Sequence, residues 1–306
     1  DGMDSMDGMD SEGEALHRQR TLTAGFSLVL TTGGRRPGSS PLLLFYSSPL
    51  LPYHPRPMSE LVKTTIDGGV CEIRMNRPDV RNAISHELIH AMEAAIAAVE
   101  ENHAIQVAVL AGEGKSFCAG MDLKAVAKDP HAMADMLRAL SRVSRRLRRL
   151  RVPVIARVQG AAVGGGCGLM VVCDFAVTHA SSKVGYPEVD LGICPAVVAP
   201  WLVKKIGAGP ARAMLLLGGT MSGREGFERG LATHLVEEES QLDEQVAAIA
   251  KRLCAGGPHA MAATKRWLNE LDGSYEDKVL DDAAELSATM IAGEEAQTRL
   301  RAVWSK

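Results

Sequence analysis

One glycine-rich segment, residues 160–195, constrains the fold and chemistry of this chain more than any other. It reads GAAVGGGCGLMVVCDFAVTHASSKVGYPEVDLGICP, and its three consecutive glycines open an apolar run that begins at Cys167. Taken alone, three glycines are more typical of a tight turn between a strand and a helix. Backbone N–H groups at a helix start can also approach a ligand closely, and the helix dipole adds positive charge there. The run is therefore a candidate oxyanion trap, with Glu188 as the nearby proton-transfer group.

A second turn strengthens this interpretation. Residues 115–123 read KSFCAGMDL and place the small residues Ala119 and Gly120 just after a predicted strand at 107–111. Two such turns, each at the end of a strand, can direct their N–H groups at one carbonyl oxygen. The pair of turns favours a site that stabilises negative charge on that oxygen.

Four motifs follow one another along the chain: NRPDVRNAI, FCAGMDL, QGAAVGGGCGL and YPEVDLGI. Together they resemble the motifs of the crotonase family, also called the enoyl-CoA hydratase/isomerase family, and the resemblance covers the chain from residue 58 onward. It implies an α/β fold, with a crotonase-like ββα spiral core over residues 58–255 and a C-terminal helical trimerisation region over residues 256–306. It also implies a coenzyme A thioester as substrate, no further cofactor, and a homotrimer or homohexamer.

The resemblance also assigns roles to individual residues. It implies that the N–H groups of Met121 and Gly165 are the oxyanion donors and that Glu188 is the acid–base group. Lys265 is a weaker candidate for a contact with a CoA phosphate, and an ordinary solvated lysine is the better interpretation. The other expected substrate- and CoA-binding residues are Arg81, Asn82, Ala83, Ala119, Gly120, Asp122, Leu123, Lys124 and Gly164.

Residue 168 departs from the best-known pattern of the family. Hydratases of the usual kind carry one glutamate where this chain has Gly168 and a second at the position of Glu188. Hydration needs a water to be deprotonated for attack at C3 and a proton to be delivered to C2, and two carboxylates can divide this work. A single base is sufficient for a double-bond shift. The departure therefore favours a Δ3,Δ2-enoyl-CoA isomerase that uses Glu188 alone.

The next stretch of sequence favours a hydratase instead. Residues 191–198 read LGICPAVV, and relatives that combine such a stretch with the glycine resemble hydratases of branched or carboxylated enoyl-CoAs. We therefore predict an enoyl-CoA hydratase-type enzyme for a short or branched acyl chain, with the isomerase as the alternative. A further alternative is a relative that binds acyl-CoA or RNA without turnover.

The composition argues against several other classes of protein. A formal net charge of −3 provides no global basic field for nucleic acid or for a membrane surface. The six cysteines lie singly, without a CxxC pair, which argues against a disulfide framework or a zinc site. His86 and His90 share a predicted helix but lack an HExxH context, so they indicate a solvated helix face. We expect no metal, no nucleic acid partner and no membrane.

Residues 1–57 differ in composition from the rest of the chain. They begin with the acidic repeat DGMDSMDGMD and end in a run rich in Pro, Ser and Leu, without a stretch long enough to span a membrane. Residues 15–57 contain Arg, Ser and Thr but no Asp or Glu, as transit peptides do, although the acidic start argues against one. We predict a disordered extension and a cytoplasmic protein, with the mitochondrial matrix as the alternative.

Local patterns from residue 58 onward predict alternating strands and helices. Residues 61–66 and 70–75 alternate as paired strands around an Asp-Gly-Gly turn, and Ser85 can cap a helix. Continuous apolar runs at 105–111, 152–158 and 175–178 indicate a largely parallel sheet covered on both faces. A capping box at Ser222 and helical patterns at 201–206, 241–255, 258–271 and 277–290 predict a helical C-terminal part.

Residues 133–151 form a predicted helix with seven arginines. A groove for RNA or for CoA phosphates is one interpretation of this basic run. Leu137, Leu140, Leu147 and Leu150 recur at helical spacing, so an amphipathic helix with a solvated basic face is the better interpretation.

Overall fold

The computed structural model describes residues 58–123 and 129–304. The predicted N-terminal extension and Lys124 lie outside the described residues. None of the described helices combines the length and the apolar composition needed to cross a bilayer.

Nine strands form two sheets in the described part of the chain. They are β1 (Val62–Asp67), β2 (Val70–Met75), β3 (Val107–Gly112), β4 (Val154–Val158), β5 (Ala161–Val163), β6 (Phe175–His179), β7 (Lys183–Gly185), β8 (Thr220–Ser222) and β9 (His234–Val236). The main sheet has the order β1-β2-β3-β4-β6-β9, and the small sheet has the order β5-β7-β8. Neighbours in the main sheet are parallel apart from the β1–β2 hairpin.

Eleven α-helices accompany the strands within the described residues. They are α1 (Met58–Leu61), α2 (His86–Glu101), α3 (Pro130–Arg149), α4 (Gly165–Val172), α5 (Ala199–Ile206), α6 (Ala208–Leu217), α7 (Gly223–Glu228), α8 (Leu242–Cys254), α9 (Pro258–Leu271), α10 (Asp277–Ala292) and α11 (Glu294–Trp304). The side chain of Ser85 caps α2, and a capping box of Ser222 and Glu225 begins α7, as predicted. The α/β fold class with C-terminal helices is confirmed.

The main sheet is buried on both faces. All six residues of β3 are buried, because alternate side chains enter two different cores. Ala108 and Leu110 join the large core that also contains the apolar stripes of α2 and α3, whereas Val107 and Val109 pack with Leu242 and other residues of α8. The continuous apolar strand predicted from the sequence therefore has the environment that such runs indicate.

The small sheet positions the glycine run. β5 and β7 are parallel, with Val163 opposite Gly185, and the Gly164 N–H donates to the Gly185 carbonyl at 2.8 Å. Since the carboxyl ends of parallel neighbours meet at one edge, Gly164 and the residues after β7, including Glu188, lie together. The sequence predicted the glycine turn at the end of a main-sheet strand, but the short strand β5 intervenes.

The basic helix differs from its prediction. Three arginines of α3 form ion pairs with acidic residues of α10, and between 15% and 39% of each of these three side chains is exposed. The nitrogen–oxygen distances are 2.6 Å for Arg138–Glu285, 2.5 Å for Arg145–Asp281 and 2.7 Å for Arg149–Asp277. The predicted solvated basic face is therefore wrong for most of the helix, because its anionic partners come from distant sequence. The charge of this face is therefore largely compensated.

Candidate active site

The glycine run forms the start of α4. Gly164 is the N-cap residue and has a φ of 56°, which favours glycine because a Cβ is strained there. Gly165 is the first helical residue, and such positions have no intrahelical acceptor for their N–H group. No oxygen among the described residues accepts this N–H, so it is available to a bound ligand.

The second turn lies against the first. Val163, just before the glycine run, donates its N–H to the Cys118 carbonyl at 3.1 Å. A Cβ on Gly120 would lie 3.7 Å from the nitrogen of Gly165 and only 2.7 Å from the Val163 carbonyl oxygen. The N–H of Met121, the next residue, also lacks an acceptor in the described part of the chain. Two free N–H groups are thus held on adjacent turns.

Glu188 lies beside the glycine run. A Cβ on Gly164 would lie 3.0 Å from its carboxyl Oε1, and Oε2 is buried without a hydrogen-bond partner in the described residues. Burial raises the pKa of the Glu188 carboxyl from 4.5 to about 7, and a backbone hydrogen bond opposes part of this rise. A carboxyl group with such a pKa can both accept and donate a proton near neutral pH.

A cavity of about 90 Å³ joins these groups. Gly120, Met121, Gly164, Gly165 and Glu188 all line it. Most of the remaining lining is apolar, and Glu188 is the only acidic or basic side chain that the described residues contribute. The apolar walls consist mainly of Leu123, Leu137, Leu140, Leu191, Ile193, Val197 and Val198.

Gly168 lies one helical turn after Gly164, whose carbonyl accepts its N–H at 2.9 Å. A Cβ on Gly168 would lie 2.5 Å from Cγ1 of Val198, which is closer than real Cβ contacts allow. Val198 itself lines the cavity. The space that a side chain at residue 168 would need is therefore occupied by a valine.

Two of the three predicted CoA-contact residues, Asn82 and Ala83, have internal roles. Asn82 is fully buried, and its amide donates to the carbonyls of Glu113 at 3.0 Å and Ser116 at 2.7 Å. Ala83 is buried and accepts a hydrogen bond from the guanidinium of Arg77. Arg81 is exposed. The side chain of Asn82 therefore supports the second turn, whereas Arg81 can reach a ligand at the surface.

The remaining predicted residues of the second turn lie close to the cavity. Ala119 and Leu123 line it. Asp122 forms an ion pair with Arg77, with 3.0 Å between Nη2 and Oδ2, and its N–H donates to the Ile84 carbonyl. The carboxylate of Asp122 therefore stabilises the turn.

Lys265 is neither solvated nor near this cavity. Its Nζ donates to Oδ2 of Asp174 at 2.7 Å and to the Val152 carbonyl at 2.8 Å, and only 7% of the residue is exposed. The expectation of an ordinary solvated lysine is wrong, because α9 packs this side chain against the end of α4. A larger cavity of about 540 Å³ also lies here, away from both glycine turns.

Metal-ligating side chains do not cluster in the described part of the chain. No group of three or more His, Cys, Asp or Glu residues there could hold a metal ion. The six cysteines are free thiols, four of them buried. His90 is half-exposed, as expected for a solvated face, whereas Nε2 of His86 lies 3.1 Å from the Ala132 carbonyl oxygen.

The sequence did not identify several residues that shape the cavity. Leu137 and Leu140 belong to the apolar stripe of α3, which indicated only core packing. Val198 and Ser287 reach the cavity from a loop and from α10. Val198 belongs to the LGICPAVV stretch, but neither that pattern nor the sequence around Ser287 shows that the two residues meet at the cavity, because their proximity depends on how distant segments pack.

Comparisons with known proteins agree with this geometry. A family model described as enoyl-CoA hydratase/isomerase matches residues 65–302. A crotonyl-CoA hydratase of Syntrophomonas wolfei is 34% identical over 199 residues, covering 64% of this chain and 76% of that protein. A 1,2-epoxyphenylacetyl-CoA isomerase of Escherichia coli is 30% identical over 249 residues, covering 79% and 94%.

Solved structures give the same result. The crystal structure of an enoyl-CoA hydratase/isomerase from Mycobacterium paratuberculosis superposes with a TM-score of 0.72 at 26% identity. The match covers 79% of this chain and 98% of that protein. The likeness therefore extends over most of this chain and nearly all of that one.

Proposed function

Because the chain belongs to the enoyl-CoA hydratase/isomerase family, we propose that it adds water across the C2=C3 bond of a short enoyl-CoA thioester. The observation that carries this proposal is the buried, unpartnered carboxyl oxygen of Glu188 beside the glycine run. The substrate brings its own coenzyme A, and the proposed chemistry uses no further cofactor.

The two free N–H groups supply the electrostatic part of the mechanism. The N–H groups of Met121 and Gly165 donate to the thioester oxygen, which gains negative charge as an enolate forms. Each preorganised donor of this kind lowers the barrier by roughly 3–4 kcal/mol. The interaction strengthens as charge develops, so it stabilises the transition state more than the ground state.

Glu188 then acts first as a base and afterwards as an acid. Its carboxylate removes a proton from water while the water oxygen bonds to C3, and the displaced electron pair moves through C2 to the thioester oxygen. The protonated Glu188 next gives its proton to C2 as the enolate electrons return, which completes the addition of one water molecule. The pKa of about 7 supports both roles, because neither protonation state is strongly disfavoured near neutral pH.

The size and the lining of the cavity favour a short, uncharged acyl group as the substrate. Its volume is about 90 Å³, and Glu188 is the only charged side chain that the described residues bring to it. A substrate carboxylate placed against these walls would be desolvated without a cationic partner from them. We therefore favour a crotonyl-like or branched aliphatic acyl group over a carboxylated one. Arg81 and residues 119–124 are the proposed contacts along the thioester and CoA arm.

Isomerisation is the second candidate, and the contact between Gly168 and Val198 favours it. With one carboxylate, Glu188 can remove a proton from C2 of a 3-enoyl-CoA, and the electron pair moves to the thioester oxygen. Returning the proton at C4 places the double bond between C2 and C3. This route needs no water and no second acid–base group.

We also propose a homotrimer or homohexamer. Exposed apolar side chains on α6 and α9 support self-association, since 81% of Leu217 and 62% of Trp267 are exposed. Size-exclusion chromatography with light scattering measures the assembly directly.

Incubation with three CoA thioesters tests the proposed reaction. The substrates are crotonyl-CoA, 3-methylglutaconyl-CoA and a 3-enoyl-CoA, with products identified by mass spectrometry. A product heavier than crotonyl-CoA by one water molecule supports the hydratase. Loss of the 3-enoyl isomer without a change in mass supports the isomerase, and no turnover of any substrate contradicts both.

A further inference from the structure

We propose that Ser287, on α10, is a positioning residue for the acyl end of the substrate. It fixes the loop at residues 193–198, which forms one wall of the cavity. This inference rests on the proposed function, because it takes that cavity as the acyl site. It assigns a role in substrate binding to a C-terminal helix that carries none of the motif residues.

The hydroxyl of Ser287 holds the loop at two points. Its Oγ donates to the Cys194 carbonyl at 2.9 Å and accepts the Val197 N–H at 3.1 Å. Ser287 is fully buried. Without the hydroxyl, one backbone acceptor and one backbone donor would lose their partners inside the protein, which is costly.

The loop fixed in this way reaches both the acyl cavity and the glycine helix. Ile193, Val197 and Val198 line the cavity. Val198 also fills the space beside Gly168. A shift of the backbone at residues 194–197 would therefore move the wall against the acyl chain and open a gap beside α4.

Ion pairs join the helix that carries Ser287 to α3, which forms another part of the cavity wall. Arg138 and Arg145 of α3 form ion pairs with Glu285 and Asp281 of α10, both of which precede Ser287 on that helix. The same helix α3 contributes Leu137 and Leu140 to the cavity. Ser287 thus links the loop to a helix pair whose other member already contacts the acyl site.

Binding of a saturated acyl-CoA tests this role without relying on turnover. Isothermal titration calorimetry on the full chain measures the Kd values of butyryl-CoA and of free CoA for the native protein and for Ser287→Ala. Free CoA lacks the acyl group, so its affinity reports general damage to the fold. The ratio of the two Kd values therefore reports the contribution of the acyl group to binding, which depends on the cavity wall at residues 193–198.

Ser141→Ala is the matched control. Ser141 is a buried serine on α3, and its hydroxyl lies 3.5 Å from the Leu280 carbonyl of α10. The variant therefore removes a hydroxyl from the same helix pair without touching the loop. A purely structural effect of losing a buried hydroxyl would appear in both variants.

We expect Ser287→Ala to weaken butyryl-CoA binding about tenfold, the effect of one poorly satisfied buried group, while free CoA changes less than about twofold. Ser141→Ala should leave the ratio unchanged. An unchanged ratio in Ser287→Ala, or equal shifts in both variants, overturns the inference. If Ser287→Ala does not fold, the same ratio of Kd values is measured for Ser287→Cys. The cysteine keeps a weaker hydrogen-bonding group at this position.

Failure of the proposed function would look different. If the native protein binds butyryl-CoA more tightly than free CoA but converts no enoyl-CoA, the proposed enzymatic function is wrong. The ratio of the two Kd values in Ser287→Ala still tests whether Ser287 positions the cavity wall. A native protein that binds the two ligands equally has no acyl site to position, and this overturns the inference itself.

Discussion

Cγ1 of Val198 lies 2.5 Å from the point where a Cβ on Gly168 would stand. The two residues are far apart in the sequence and meet because the loop at 193–198 closes over α4. One methyl group therefore occupies the space through which any side chain at residue 168 would have to pass. Among the described residues the cavity has one carboxylate, and Val198 fills the space that a second one at residue 168 would need.

This contact predicts a coupling between residues 168 and 198. Gly168→Ala should destabilise the native chain by about 1–3 kcal/mol, since it overpacks the contact with Val198. The same change should cost at least ~1 kcal/mol less in a Val198→Ala background, because the alanine makes room. Urea unfolding of the four proteins measures the coupling.

Gly209→Ala is the control for this cycle. A Cβ on Gly209 would meet nothing within 4 Å, and the residue lies inside α6, so alanine should stabilise the helix by up to ~1 kcal/mol. Equal effects of Gly168→Ala in both backgrounds would show that Val198 does not occupy the space.

The pH dependence of turnover should report Glu188. If its carboxylate begins the reaction as a base, kcat/KM rises as pH increases through about 7, where burial places this pKa. Glu188→Gln should lower kcat by roughly 10²- to 10⁴-fold and remove this limb of the profile. A profile that stays flat between pH 5 and pH 8 in the native enzyme contradicts the assignment.

Ionisation of the same carboxyl group should lower the free energy of unfolding as pH rises. Its pKa is raised from 4.5 to about 7 in the folded protein, so between these values the unfolded chain releases the proton more readily. The free energy of unfolding therefore falls across this interval and stays lower above it. Glu188→Gln should stabilise the protein by up to about 3 kcal/mol at pH 8 and have little effect at pH 4. Thermal unfolding at the two pH values tests the sign.

Gly165→Pro tests the oxyanion donor. Proline is accepted at the first position of a helix, where it removes an N–H that has no intrahelical partner. We expect kcat to fall roughly 10²- to 10³-fold. Gly165→Ala keeps the N–H but introduces the same Cβ, which would meet Leu140 at 3.0 Å and Ile84 at 3.3 Å. A similar loss in both variants would point to crowding and not to the missing donor.

Lys265→Met should affect stability and not catalysis. The ion pair with Asp174 is largely buried, and removing one member of such a pair costs about 3–5 kcal/mol. Adding Asp174→Asn should recover part of the loss, because the unpaired charge disappears. Chemical unfolding measures both effects. The KM for acyl-CoA, measured under conditions in which each variant is folded, should stay constant. A large rise in KM would show that Lys265 contributes to CoA binding.

Local sequence patterns were sufficient for much of the fold. Apolar runs identified β3, β4 and β6, and Ser85 and the Ser222 capping box identified helix starts, because these signals depend on residues within one turn or strand. The short strand β5 was missed. It spans only three residues and carries no alternation long enough to recognise.

The charged residues show where such patterns fail. Arg145 and Lys265 each appeared solvated because no acidic partner lies nearby in the sequence. Their partners, Asp281 and Asp174, are brought to them by the packing of α10 and of the segment after α4. Glu188 was identified from its distance to the glycine run, but its missing hydrogen-bond partner and raised pKa depend on the cavity around it.

Gly164, the N-cap of α4, and Gly168 within that helix differ in how freely they could change during evolution. Gly164 is restricted by its own φ and by the carboxyl oxygen of Glu188, so a library of all amino acids at this position should return active clones with glycine alone. Gly168 is restricted chiefly by one methyl group of Val198. A lineage in which Val198 first becomes smaller could then acquire a second carboxylate at residue 168. In this chain, a second carboxylate at residue 168 would therefore require the substitution at residue 198 to come first.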